Sequence, residues 1–240
     1  MPIDAHTPDE ATENASRLRS MLKEYEKDNA DVKTVIVPED LWRSRNEMMK
    51  ARLLSQFGIF RRIFARNTEA RRITRPEASE FLDKWHTYGD AAARYRYGLF
   101  TREGELVAVS TFSSGRTWNK GGQAIRSYEW VRYASLPNVR ICGGMGKTLK
   151  TFIKDNAPDD IMSYSDLEWT DGGAYRALGF REDGKREPVT FSIDTENWTR
   201  TALNKMEKSI DLQERPTGGH LYHKNLGSVK FRLTIQKHQP

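Results

Sequence analysis

The chain has a single cysteine, Cys142, among its 240 residues, so no disulfide can close within it and a four-cysteine zinc site is excluded. It has no apolar run near the roughly 20 residues needed to cross a bilayer. The start of the chain carries Asp4, Asp9, Glu10 and Glu13 where a signal peptide would have a basic and then an apolar stretch. A soluble, cytoplasmic protein with no membrane partner is expected. Internal repeats and low-complexity segments are absent too. Gly146-Lys147-Thr148 falls short of a nucleotide-triphosphate loop, because that motif needs a glycine five positions before its Gly-Lys pair and Ile141 stands there. ATP hydrolysis through such a loop is therefore excluded.

Charge is plentiful, and its distribution matters more than the net +6. Residues 1–31 hold 4 basic and 8 acidic side chains, whereas 33–75 hold 11 basic and 4 acidic. Clustered Arg and Lys draw polyanions by releasing condensed counterions, so the basic stretch points to DNA or another nucleic acid as partner. Within it Phe60-Arg61-Arg62-Ile63-Phe64-Ala65-Arg66 interleaves aromatic and basic residues, a pattern suited to base stacking with phosphate neutralisation, and equally to helix packing with an arginine rim. Arg61, Arg62, Arg66, Arg71 and Arg72 are the candidate nucleic-acid contacts.

Four segments follow from these patterns: an acidic, partly helical or flexible leader over 1–32, a basic helical extension over 33–69, an α/β core over 70–198 and a C-terminal segment over 199–240 with a closing strand. Leu18, Met21, Leu22 and Tyr25 give 10–30 helical spacing, Val35 to Pro38 is extended, and 39–57 has helical periodicity. In the core, 70–74 is a strand and Arg75-Pro76-Glu77 opens a helix, since proline suits the first turn. Strands over 95–100 and 105–112 flank a hairpin turn at Thr101-Arg102-Glu103-Gly104. A strand over 127–134 leads to a glycine turn and a helix over 147–154. Then come a strand at 161–164, a short helix at 173–178 and strands at 189–193 and 227–233. The stretch 199–216 reads as polar and helical or loose.

The stretch Arg140-Ile141-Cys142-Gly143-Gly144-Met145-Gly146, between strand and helix, is the strongest chemical signal. Unobstructed backbone N–H groups at a helix start can hold a pyrophosphate, although a tight strand-to-helix turn also selects glycine. Glu129 is a candidate general base, with a surface carboxylate opposite Arg132 as the ordinary alternative. His220 and His223 lack an accompanying carboxylate or cysteine at matching spacing and are expected at the surface or against nucleic acid.

Glu129-Trp130-Val131-Arg132-Tyr133, the glycine turn, and Ala174-Tyr175-Arg176-Ala177-Leu178-Gly179-Phe180 together resemble the central motif and following helix of the GNAT acyltransferases. The resemblance implies a mixed central sheet flanked by helices behind an N-terminal helical extension. It also implies acetyl-CoA or another acyl-CoA as cofactor, held by Arg140, Gly143, Gly144, Gly146 and Lys147, with Tyr175 protonating the departing thiolate. The register of the loop departs from the family's, since Gly144 and Gly146 compete with Gly143. Lys84-Trp85-His86-Thr87-Tyr88-Gly89, Tyr97-Gly98-Leu99-Phe100, Ser163-Tyr164-Ser165-Asp166 and Asn225-Leu226-Gly227 extend the likeness to the bacteriophage Mom group of DNA-modification proteins. That resemblance implies acyl-CoA-dependent modification of adenine in DNA, in a phage or its bacterial host, with an iron site carried onto His86, Tyr88, Asp166 and Tyr175. Imidazole, carboxylate and phenolate are a donor set suited to iron. A lone histidine is more often structural, and Asp166 would also serve as a cap. The expected catalytic residues are Tyr175, Asp166, His86 and Glu129. A catalytically silent DNA-binding accessory and an N-acetyltransferase of a small amine or protein are the alternatives.

Overall fold

The computed structural model describes residues 1–203 and 219–235. The chain divides into two compact units: Met1–Met49, Ser165–Gly173 and Gly184–Val229 form the first, and Lys50–Tyr164, Ala174–Asp183 and Lys230–Pro240 the second. Strands and helices are numbered below in chain order.

In the first unit, α1 (Pro8–Asp28) starts where Thr7 accepts a hydrogen bond from the Glu10 amide, with Pro8 in the first turn. Its buried residues are Ala11 and Ala15, small enough to let the helix lie close on a three-stranded antiparallel sheet. That sheet has the order β11 (Arg200–Ala202), β10 (Thr190–Asp194), β12 (His220–Lys224). The single helix expected over 39–57 is broken: α2 (Glu39–Ser44) ends at Arg45, outside helical geometry, and α3 runs Asn46–Gln56. The break leaves Leu41, Met48 and Met49 in one cluster with Val37. Asp40, fully buried, is held by Arg200 through two hydrogen bonds of 2.5 and 2.6 Å. His223 and Glu168, also buried, pair at 2.9 Å, so His223 is an interior residue rather than the expected surface or nucleic-acid contact. His220 is half-buried, its Nδ1 3.3 Å from Ser192 Oγ.

The second unit is built on an eight-stranded mixed sheet. Its path is β2 (Thr68–Arg72), β3 (Tyr95–Thr101), β4 (Leu106–Phe112), β6 (Gln123–Ser135), β8 (Asp160–Asp166), β13 (Ser228–Thr234) and β9 (Arg181–Arg186), while β5 (Arg116–Lys120) pairs with β6. Helix α4 (Arg75–Trp85) begins with a capping box in which Thr74 and Glu77 satisfy each other's backbone amides. Its Ala78, Phe81 and Leu82 pack against Val109 and Ala134. Helix α5 (Gly144–Asn156) presents Phe152 to the other side of β4, where it stacks on Phe112 with ring centroids 3.9 Å apart. Burying a phenylalanine in this way is worth about 1.5–3 kcal/mol. A mixed sheet flanked by helices is the expected class.

The aromatic-basic run departs from the expected helical extension. Residues Arg61–Phe64 form β1, which pairs in parallel with β7 (Val139–Cys142) to make a separate two-stranded sheet. The reason is its period of two: Ile63 and Ile141 join an interior cluster with Leu99 and Val107, while Arg62 and Phe64 are exposed. Most of the stretch 199–216 lies outside the described residues, and its start forms β11.

Candidate active site

Within the second unit the parallel ladder between β6 and β8 covers three pairs, Ser127 with Asp160, Tyr128 with Ile161 and Glu129 with Met162. Past that point the strands part. β6 carries a bulge there: Thr111 of β4 stands opposite Arg132 and Phe112 opposite Trp130, so Val131 is the extra residue. A side chain takes the place of the lost ladder, as Ser163 Oγ donates to the Trp130 carbonyl oxygen (2.9 Å). Parting parallel strands leave backbone donors and acceptors that an extended ligand can use, and strand ends of this kind are where α/β sheets bind ligands.

Tyr175, on the short helix α6 (Gly173–Ala177), places its hydroxyl at this fork, 2.8 Å from Ser163 Oγ and 3.5 Å from the Tyr164 carbonyl oxygen. Its ring is fixed by Phe231, stacked at 5.3 Å, and by the edges of Trp130 and Phe180 at 6.0 and 5.5 Å. Burial raises its pKa, against the opposing pull of Ser163 and the Arg132 charge. The phenol is therefore protonated at neutral pH and able to donate.

Arg132, which the sequence offers as a neighbour of Glu129 and a member of the Glu129 to Tyr133 motif without a role of its own, organises the region. Nε donates to the Gly89 carbonyl oxygen (3.1 Å) and Nη1 to that of Val131 (2.9 Å), which ties the turn after α4 to the bulge. Burial lowers its pKa, opposed by Glu129, Tyr88, Asp90 and Tyr175 in that order. Three of the expected site residues, Glu129, Tyr88 and Tyr175, thus act electrostatically on one guanidinium. His86 caps α4, its amide donating to the Leu82 carbonyl oxygen, and its Nδ1 accepts from the Tyr88 amide at 3.1 Å. Glu129 is half-buried on β6, its amide donating to Ser113 Oγ. Asp166 ends β8 and falls in the first unit, where its Oδ1 accepts from the Glu168 amide at 3.0 Å as a turn cap.

The glycine turn follows β7. Gly143 takes the left-handed conformation (φ 80°) and precedes the first turn of α5, so Gly144, Met145 and Gly146 supply amides at a helix N-terminus. Gly144 is packed from both sides: a Cβ there would come 2.6 Å from Tyr133 Oη and 2.8 Å from Ile141 Cγ2. Gly146 faces Leu178, 3.3 Å from the position of an added Cβ. Lys147, expected at the cofactor, instead donates from Nζ to the carbonyl oxygens of Ala65 (2.8 Å) and Thr68. Arg140 is exposed on β7, its guanidinium 5.3 Å from the Phe60 ring.

The five arginines expected at nucleic acid have different surroundings. Arg61 pairs with Glu105 at 3.0 Å and Arg72 with Asp155 at 3.7 Å. Arg71 lies 3.8 Å over Phe100, Arg66 5.0 Å over Phe64 and Arg62 5.9 Å from Phe60. An open groove of about 540 Å³ in the first unit, lined by Glu39, Trp42, Arg43, Asn46 and Trp198, contains none of the expected site residues.

An iron site on His86, Tyr88, Asp166 and Tyr175 has no support among the described residues. Among the described residues no three His, Cys, Asp or Glu side chains come together to hold a metal ion, and the ring nitrogen of His86 and the carboxylate of Asp166 named above serve local turns.

No family model and no curated protein matches the chain. Solved structures resemble it loosely. An acetyltransferase from Bacillus subtilis in complex with CoA aligns at 14% identity and TM-score 0.40, over 70% of this chain and 99% of that one. The ribosomal-protein-S18-alanine N-acetyltransferase from Escherichia coli aligns at 11% and 0.39, over 72% and 96%. A spermidine N-acetyltransferase chimera from Vibrio cholerae aligns at 10% and 0.41, over 70% and 96%.

Proposed function

We propose that the second unit binds acyl-CoA and transfers its acyl group to an amine, the acceptor being the exocyclic amine of a nucleic-acid base. The carrying observation is the fork between β6 and β8 with the Tyr175 hydroxyl at its opening. In this reading the pantetheine arm lies along the parting strands, and the pyrophosphate meets the amides of Gly144, Met145 and Gly146, where the helix terminus favours negative charge. The acceptor nitrogen attacks the thioester carbonyl, a C–N bond forms and the C–S bond breaks. Glu129 takes the proton from the nitrogen, and Tyr175 gives its proton to the departing sulfur. No step uses a metal. The surplus of arginine in 33–75 supports a polyanionic acceptor, and reaching a base in a duplex would require it to be flipped out of the stack.

Tyr175→Phe tests the chemistry. Acetyl-CoA affinity by calorimetry stays within about twofold, while turnover falls roughly 10²- to 10⁴-fold, the usual contribution of a positioned acid. Equal turnover in the variant removes Tyr175 from the mechanism, and absence of acyl-CoA binding by wild-type protein removes the whole reading. Nucleoside mass analysis after incubation with DNA and acetyl-CoA tests the acceptor: transfer to small amines without a mass gain on any nucleoside refutes the nucleic-acid assignment.

A further inference from the structure

The parallel pairing of β1 with β7 sets Arg62 opposite Arg140 as register partners, and both side chains are exposed. Like charges on adjacent strands repel, and such pairs cost stability unless something neutralises them. Among the described residues neither arginine has a carboxylate within 4.0 Å, whereas Arg61, their neighbour on the opposite face of β1, has Glu105. Phe60 lies 5.9 Å from one guanidinium and 5.3 Å from the other, an apolar prop shared by both. Strand β7 runs straight into the glycine turn, and β1 stays beside it: Phe64 is the partner of Cys142, and Ala65 Cβ is 3.5 Å from where a Cβ on Gly143 would lie. Lys147, clamped onto Ala65 and Thr68, fixes β1 to the start of α5. Two unpaired guanidiniums are therefore held next to the turn assigned to the pyrophosphate.

From this juxtaposition we infer that Arg62 and Arg140 form the receptor for the 3′-phosphate of the CoA nucleotide. The inference rests on the acyl-CoA reading above. A phosphate monoester near pH 7 carries close to two negative charges and three acceptor oxygens, so it can bridge two guanidiniums through charge-assisted hydrogen bonds. A diester in a nucleic-acid strand offers one charge at each phosphate. The pair thus withdraws Arg62 from the nucleic-acid contacts and moves Arg140 from the pyrophosphate to the ribose end of the cofactor.

Calorimetric titration with CoA and with 3′-dephospho-CoA tests it on wild type, Arg62→Gln and Arg140→Gln. Wild type binds dephospho-CoA at least about tenfold more weakly than CoA, as loss of charged hydrogen bonds implies. Each variant brings CoA close to the dephospho-CoA affinity and leaves dephospho-CoA unchanged. Equal binding of the two ligands by wild type overturns the inference while leaving the acyl-CoA reading intact, and so does an equal loss for both ligands in the variants. Failure of both ligands to bind wild type overturns the inference and the acyl-CoA reading together. An unaltered CoA to dephospho-CoA ratio, with weakened binding of a single-stranded oligonucleotide in the variants, overturns it in favour of a nucleic-acid contact.

Discussion

Replacing Gly144 by alanine probes the glycine turn more sharply than replacing its neighbours. The new methyl would sit 2.6 Å from Tyr133 Oη and 2.8 and 2.9 Å from Ile141 Cγ2 and Cβ, against an optimal separation of about 3.5–4.0 Å. Neither neighbour can yield easily: Tyr133 has its pKa raised by burial, and Ile141 belongs to the cluster with Leu99 and Val107. The cost expected for overpacking is about 1–3 kcal/mol, which at a urea m-value of about 2 kcal/mol/M would lower the midpoint by roughly 0.5–1.5 M. Gly143→Ala is the control, since its Cβ meets Ala65 at a comfortable 3.5 Å and pays only for φ 80°, about 1 kcal/mol. Tyr133→Phe removes the nearest atom and should recover part of the loss in a double variant, with Ile141 accounting for the rest. Because the overlap pushes the first turn of α5 outward, acetyl-CoA affinity should fall with stability. Urea unfolding of wild type, Gly144→Ala, Gly143→Ala, Tyr133→Phe and the Gly144→Ala/Tyr133→Phe double variant, with calorimetry on the folded ones, reads both effects. A Gly144→Ala variant within about 0.5 kcal/mol of wild type, or a costlier Gly143→Ala, would refute the steric reasoning.

Asp40→Ala should cost about 3–5 kcal/mol, because it removes the buried carboxylate that takes two hydrogen bonds from the Arg200 guanidinium; Asp40→Leu with Arg200→Met should regain much of that in thermal unfolding, and a cost below 1 kcal/mol for the single change would show the pair to be inessential. Tyr97 has its pKa pushed up to about 12, chiefly by burial and then by its hydrogen bond to Asp155. A raised phenol pKa means its contribution is intact below the ordinary value near 10 and is lost as pH climbs from there to about 12. Denaturant unfolding of Tyr97→Phe against wild type should therefore show a stability difference that shrinks or reverses across that window, and a constant difference would contradict it.

Local signals gave the parts of the fold that local energetics decide. Pro76 marks the first turn of α4, a signal confined to a few residues, and the turn at Thr101 to Gly104 fixes the β3–β4 hairpin. A further local signal went unused: Gly121 and Gly122, both at positive φ, close the β5–β6 hairpin between alternating strands. What stayed hidden depends on pairing between distant segments. Phe60 to Arg66 has the alternation of a strand as well as the look of an arginine-rimmed helix, and only β7 decides between them. His223 looks like a solitary surface histidine until Glu168 is set 2.9 Å away. Partial burial alone does not distinguish Tyr175 from other core aromatics, and its hydroxyl meets Ser163 only because α6 is carried to the end of the β6–β8 ladder.

Arg132 shows why the site could not be assembled from motifs. Its chain neighbours are an extra residue in a bulge and a strand tyrosine, so a period-two reading turns it into one more solvated cation. The bulge resets that alternation, and the guanidinium is spent on two carbonyl oxygens, Gly89 and Val131, with Glu129 and Asp90 contributing charge from farther away. A partly buried cation held by carbonyls keeps more of its field than one neutralised at contact, because a direct ion pair would cancel much of it. That field acts on Tyr175 and opposes the rise in its pKa caused by burial. The same residue therefore fastens the His86 to Gly89 turn to the fork and limits the loss of acidity that burial imposes on the phenol beside it. Both effects depend on the single register shift between Thr111 and Phe112, which no residue type in the sequence announces.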